Sequence, residues 1–208
     1  MPKRKTRKKT GKGPGGQIGW GGMGVKPWGR ANLVLGAIAA LALAAGGFYF
    51  WRGDQENSEF SALAMQGEAA LSQVRTTPAQ GGGHLALGQS HEYSQRFPTS
   101  GIHNSVPAGP GFYRTFQPPT TLVHSIEHGQ VVIYYESPGA EAIQLLKDWT
   151  LLHDGTWDGV IAVPATGLGQ AVVLTAWRKI FRLKDFDAAA AAAFIDLYRG
   201  RGPENQVR

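Results

Sequence analysis

The sequence predicts an α+β protein: a single N-terminal transmembrane helix, then one extracytoplasmic domain with a β-α-β-β-α sheet-and-helix core. Three observations carry this reading. Residues 31–51 contain no charge, positive charge is concentrated ahead of them, and from Leu122 onward short β-branched runs alternate with segments of helical period. Of the 21 Lys and Arg, nine (Lys3, Arg4, Lys5, Arg7, Lys8, Lys9, Lys12, Lys26, Arg30) lie in residues 1–30, which hold no acid. The rest of the 208-residue chain carries 12 basic against 15 acidic side chains, so the overall net charge of +6 belongs to a short tail. A nucleic-acid-binding domain would carry its basic stripe on the folded part, so nucleic acid is not expected as a partner. The absence of cysteine removes disulfides, Cys-ligated zinc, thiol catalysis and iron–sulfur clusters together.

The elements follow in chain order. Residues 1–30 form a basic, then Gly-rich, cytoplasmic tail, too poor in apolar side chains to build a core and suited to anionic lipid headgroups. Residues 31–51 (ANLVLGAIAALALAAGGFYFW) span about 31 Å as a helix, the thickness of the hydrocarbon core. Trp28 before the span and Phe48 to Trp51 at its end supply interfacial aromatics. The positive charge before the span sets the N-terminus in the cytoplasm and everything from about residue 52 outside the bacterial inner membrane, in the periplasmic or extracellular space. Ala42-Leu43-Ala44 also resembles a signal-peptidase site, so a cleaved leader stands as the alternative to an uncleaved single-pass anchor. Gly36, Ala40 and Ala44 make a small-residue stripe of the kind that packs helices together, which admits a larger membrane protein complex as a partner beside the bilayer.

Residues 52–83 read as a juxtamembrane helix over 55–75 and a TTPAQGGG linker. The domain proper is expected over 84–203, with 204–208 as a C-terminal tail. Its first part, His84–Pro119, is rich in Pro and Gly and reads mainly as loop. Then come a strand at Val131–Tyr135, a helix at Ala140–Leu152, and strands at Val160–Val163 and Ala171–Trp177, the last nearly all apolar and so central. Asp187 caps a final helix that Gly200 stops. This order matches the second half of a thioredoxin-like fold, without its Cys-x-x-Cys and therefore without a redox inference.

All six histidines lie beyond the span. The dense group is Leu122-Val123-His124-Ser125-Ile126-Glu127-His128-Gly129. On a strand His124 and His128 would stand about 13 Å apart, too far for one ion. On a helical turn they are i and i+4, with Cβ atoms about 5–6 Å apart. Gly129 is what a residue following a helix looks like, which favours the turn. The order differs from the zincin His-Glu-x-x-His, so protease chemistry by that route is not expected. The alternatives at this point are a metal or active site and a hydrogen-bonded network that fixes a loop. Tyr113, Arg114, Tyr134 and Tyr135 are candidate lining residues, although tyrosines in a β-run more often belong to the core.

Phe97-Pro98-Thr99-Ser100-Gly101-Ile102-His103, Gly111-Phe112-Tyr113, the run from Leu122 to Tyr135, Thr175-Ala176-Trp177, Phe186-Asp187 and Ala193-Phe194-Ile195 together resemble a bacterial membrane-anchored family, domain of unknown function 3105. The resemblance covers residues 84–203. It implies that His103, His124, Glu127 and His128 belong to one site, and it brings no activity with it. Ile102 stands where the family has proline and Asn104 where it has an aromatic residue, while His103 is kept. Three imidazoles and a carboxylate suit copper or zinc as the cofactor. No nucleotide or organic cofactor is indicated, since the glycine runs lack the Gly-Lys-Ser/Thr of a phosphate loop. A metal carrier, chaperone or sensor is thus the first expectation and an accessory subunit of a membrane complex the second. A metal-dependent hydrolase comes last, because no Ser-His-Asp spacing or carboxylate dyad supports catalysis.

Overall fold

The structure is a computed structural model and describes residues 30–208, with side chains from Val34 onward. The basic tail up to residue 29, and with it the expected headgroup contact, lies outside the described residues. The described residues divide into two units, one up to Gly46 and one from Gly47 to Arg208. In the first unit, helix α1 (Arg30–Gly67) begins, and its large apolar side chains, Val34, Leu35, Ile38, Leu41 and Leu43, are all exposed. Among the described residues this is the one helix long and apolar enough to cross a membrane.

The sequence suggests a span and a separate juxtamembrane helix. Instead α1 continues through Gly67 without interruption. No proline lies within it and no glycine in it takes positive φ. An Arg52–Glu56 pair at 2.7 Å adds i to i+4 support beyond the apolar stretch. A 3-10 turn then covers Glu68–Gln73.

The second unit is built on a mixed six-stranded sheet. Its strands are β1 (Arg75–Thr76), β2 (Gly111–Phe112), β3 (Val131–Tyr135), β4 (Val160–Pro164), β5 (Val172–Ala176) and β6 (Lys179–Leu183). They lie in the order β1-β6-β5-β3-β4-β2, with β3–β4 and β4–β2 parallel and the other pairs antiparallel. The helices are α2 (Pro119–His128), α3 (Ala140–Leu152) and α4 (Ala188–Tyr198). Successive side chains of a strand point to opposite faces, and both faces are covered here. Val131, Ile133 and Leu174 meet Leu146 and Trp149 of α3, Phe194 of α4 and Phe60 of α1 on one side. Val132, Tyr134 and Val173 meet Leu122 and Ile126 of α2, with Phe97 from the long loop, on the other. Double coverage explains why β3 and β5 are buried at every position and are mostly apolar.

The β-α-β-β-α order expected after Leu122 gains one strand, β6. Its sequence, Lys-Ile-Phe-Arg-Leu, shows no alternation because the consecutive Ile180 and Phe181 serve opposite faces of the sheet. The β5–β6 hairpin turns at Trp177-Arg178, where Arg178 takes φ +57° without the Asn-Gly or Asp-Gly that usually marks such a turn. Tertiary contacts hold it instead: Arg178 N–H donates to Thr99 O at 3.0 Å and its Nε to Thr77 O at 3.3 Å.

The folded unit also reaches beyond residues 84–203. Phe60 and Ala64 are buried in the core, and a Cβ on Gly67 would overlap Ala189 O, so the end of α1 abuts the start of α4. Asp187 caps α4 by accepting from Ala190 N at 3.0 Å, a contact of a kind that stabilises by about 1 kcal/mol. Past Gly200 the chain folds back: Val207 N–H donates to Gly200 O, and Arg208 pairs with Asp196 at 3.0 Å.

His153, which ends α3, shows the cost of placing a titratable group in this core. Its ring packs edge-on to Phe60 at 4.6 Å, and Nε2 is buried without a hydrogen-bond partner among the described residues. Burial pushes the imidazole down to about 3, and Arg199 and Arg208 add to the depression. The unfolded chain therefore takes up the extra proton first. Stability is fully present above an unfolded pKa of about 6.5 and falls as pH drops toward 3, by about 1.4 kcal/mol per pH unit. Urea unfolding at pH 7, 6 and 5 should show the wild type losing roughly 2 kcal/mol relative to His153→Leu between pH 7 and 5. A difference independent of pH would contradict this.

Candidate metal centre

The site lies at the C-terminal end of α2. The local sequence explains the helix: Pro119 opens it at a position where its missing N–H is not needed, and Gly129 closes it with φ +106°. Gly129 N–H donates to Ile126 O and Gln130 N–H to Ser125 O, both at 3.0 Å, so these two carbonyls of the last turn are satisfied. Because the turn is helical, His124 and His128 meet, with ring centroids 4.6 Å apart.

The other ligands arrive from outside the helix. An isolated parallel bridge sets His84 beside His103, with Leu85 N–H donating to His103 O at 2.7 Å and His103 N–H to Gly83 O at 3.0 Å. The loop is laced to α2 by Asn104 N–H to Thr120 O and by Ser125 Oγ to Ala108 O. As a result His84, His103 and His124 face one another, their ring centroids 4.8 to 5.1 Å apart.

Two overlapping ligand groups follow. His84, His103, His124 and Glu127 place one ligand atom each within 4.8 Å of every other. His124, His128 and Glu204 do the same. The four residues expected to share one site are thus divided: His103, His124 and Glu127 converge, while His128 belongs with Glu204 and reaches the others through His124.

The hydrogen bonds fix which nitrogens are free. His103 Nδ1 lies 2.8 Å from Gly101 O, and His124 Nδ1 lies 2.7 Å from Asn104 O. A carbonyl only accepts, so both Nδ1 atoms donate, and each neutral ring presents the lone pair of Nε2 to the site. His103 Nε2 stands 3.0 Å from Glu127 Oε2, yet it makes no hydrogen bond among the described residues and is fully buried. Two acceptors facing each other at that distance need a proton or a cation between them. Burial holds His124 below the ordinary histidine range, and the neighbouring His103, His128 and His84 lower it further against the hydrogen bond to Asn104. It is therefore neutral and able to ligate at pH 7. The negative end of the α2 dipole also favours a cation here.

Residues 84–208, about three-fifths of the chain, match the family described as Protein of unknown function (DUF3105). The chain belongs to the DUF3105 family. Neither a curated protein nor a solved structure matches it.

All six ligand residues lie within the DUF3105 match, which begins at His84 itself. Sequence reasoning missed His84 and Glu204. His84 is separated from the His124 turn by a Pro- and Gly-rich loop, and Glu204 sits in what reads as a tail, so neither carries a local signal. Their common feature is a chain path that returns to α2. Glu204 Oε2 reaches His128 Nε2 at 3.0 Å because residues 200–204 run alongside the helix end, where Gly200 N–H donates to Gly129 O at 2.8 Å. Of the candidate lining residues in the DUF3105 domain, Tyr134 and Tyr135 are core side chains on opposite faces of β3. Tyr113 bonds to Gly109 O, and neither it nor Arg114 belongs to a ligand group. His91 stacks on Tyr93, away from both groups.

Proposed function

We propose that this DUF3105 protein is a membrane-anchored, extracytoplasmic carrier, chaperone or sensor for a transition metal, copper or zinc, held by His84, His103, His124 and Glu127. The observation that carries this reading is His103 Nε2: buried, without a hydrogen bond, 3.0 Å from a carboxylate oxygen, on a ring whose other nitrogen is committed to Gly101 O. A proton would satisfy that atom and Glu127 as a simple ion pair, and the convergence of His84 and His124 on the same point is what favours a metal ion in its place. Three imidazole nitrogens and one carboxylate oxygen fit Zn²⁺ in a tetrahedral set and fall among the donors that Cu²⁺ prefers. Tetrahedral ligands on one ion at ~2 Å bonds stand about 3.3 Å apart, so atoms that now lie within 4.8 Å of one another need to close by at most roughly 1.5 Å.

The carbonyls of Gly101 and Asn104 orient the two inner rings and raise their basicity, as partners of metal-bound histidines do. Four protein ligands leave no open position for water, which supports binding or transfer over hydrolysis. The charge-free stretch 31–51, with nine cationic residues before it, supports an anchor with the domain outside the cytoplasm. The β3-α3-β4 unit followed by the β5–β6 hairpin and α4 supports a thioredoxin-like arrangement, a likeness of fold alone.

Elemental analysis tests the reading. The full chain, purified in detergent, stripped with chelator and equilibrated with Zn²⁺ or Cu²⁺, is expected to retain one ion per chain after gel filtration. Negligible retention of both metals would remove the proposal.

A further inference from the structure

The second ligand group has a property that the first does not explain. It shares His124, and His124 has one nitrogen to give, because Nδ1 donates to Asn104 O at 2.7 Å. Its Nε2 can bond an ion held with His84, His103 and Glu127, or an ion held with His128 and Glu204, but not both. The two positions also differ in character. The first contains the fully buried His103, tied to a carbonyl. In the second, the Glu204 side chain is 46% exposed on the C-terminal segment, and His128 Nδ1 is buried with no hydrogen-bond partner among the described residues. Without an ion, Glu204 Oε2 at 3.0 Å places the His128 proton on Nε2, and an ion bound there takes that proton's place, the proton moving to Nδ1 or to solvent. The ring itself is held in place by Trp157, with centroids 4.2 Å apart.

We infer that the domain has a second metal position, His124/His128/Glu204, which exchanges its ion with the first through the shared His124. This rests on the metal-binding reading above. In the exchange, the bonds to His84, His103 and Glu127 break as bonds to His128 and Glu204 form, while Nε2 of His124 stays attached. Zn²⁺ keeps its charge throughout, and the only groups that move are side chains. The ion thus passes between the buried position and the exposed carboxylate without being released as a free ion. Each position has its own exposed ligand, His84 at one and Glu204 at the other, so the pair forms a through-path with His124 in the middle. Its cargo is a divalent ion with affinity for imidazole and carboxylate, for which Zn²⁺ serves as the probe.

The test is stoichiometry. Full chain in detergent is stripped and dialysed against Zn²⁺, with metal and protein quantified together. Wild type should bind one ion per chain, although it carries two ligand groups. The double variant His84→Ala/Glu127→Gln, both partly exposed so that folding is spared, should still bind one ion, more weakly than the wild type. Adding Glu204→Gln to that variant should abolish the remaining binding. Two ions on the wild type would overturn mutual exclusion. A double variant that binds nothing, or whose residual binding ignores Glu204→Gln, would overturn the second position while leaving the first intact. Wild type that binds no ion would remove the underlying metal reading instead.

Discussion

His124→Ala is expected to weaken Zn²⁺ or Cu²⁺ binding by at least about 10-fold, no less than any other single ligand substitution, because only this residue belongs to both ligand groups. Loss of His84 or Glu204 leaves three residues in one group or the whole of the other. Loss of His124 leaves His103 and His84 with Glu127 on one side and a two-ligand remnant on the other. Its ring also separates His103 from His128, standing 4.8 Å from one and 4.6 Å from the other. Competition against a chromophoric chelator measures the affinity. His91→Ala, which lies outside both groups, should behave as wild type. Unchanged affinity in His124→Ala would show that the imidazoles are structural, and a matching thermal midpoint would confirm that the variant is folded.

Gly129→Ala is expected to be strongly destabilising. A left-handed backbone costs an L-residue about 1–2 kcal/mol, and Gly129 has φ +106°. The added Cβ would sit 2.7 Å from Trp157 O, 2.8 Å from Gly202 N and 3.1 Å from Arg201 N, all backbone atoms with little freedom to give. Overpacking of that kind adds about 1–3 kcal/mol, so a total near 3–4 kcal/mol and a midpoint lowered by roughly 10 °C are expected. The damage should reach the metal group, since the displaced segment carries Glu204 and is held by Gly200 N–H to Gly129 O and Glu204 N–H to Glu127 O. A thermal scan of the two proteins decides it, and an unshifted midpoint would contradict the packing described here.

The parts of the fold that were legible in the sequence are those whose signal is local. The helix at Ala140–Leu152 coincides with its apolar period. The strands at 131–135, 160–164 and 172–176 were marked by apolar runs, and the final helix by Asp187 and Gly200. Strand β6 was not legible, because Ile180 and Phe181 face opposite layers and its hairpin relies on contacts from Thr77 and Thr99, about a hundred residues earlier in one case. The unbroken α1 was not legible either. A change from uniformly apolar to amphipathic composition at residue 52 marks a change of surroundings, not an end of hydrogen bonding along the helix.

The candidate site divides in the same way. The i to i+4 spacing of His124 and His128, with Gly129 after it, determined by itself that these two rings would meet. Periodicity and a glycine stop act within one turn of helix, and no tertiary contact is needed to express them. Composition alone likewise determined that any metal here must be held by histidine and acid, since the chain has no cysteine. What only the tertiary structure decided is which residues complete each group. His84 comes from the bridge to His103, and Glu204 from a C-terminal segment that lies on the end of α2. Tertiary structure also decided that His103 and His128 fall on opposite sides of His124. Such meetings depend on where two distant stretches of backbone pair, a property of the folded sheet and loop that no window of sequence contains.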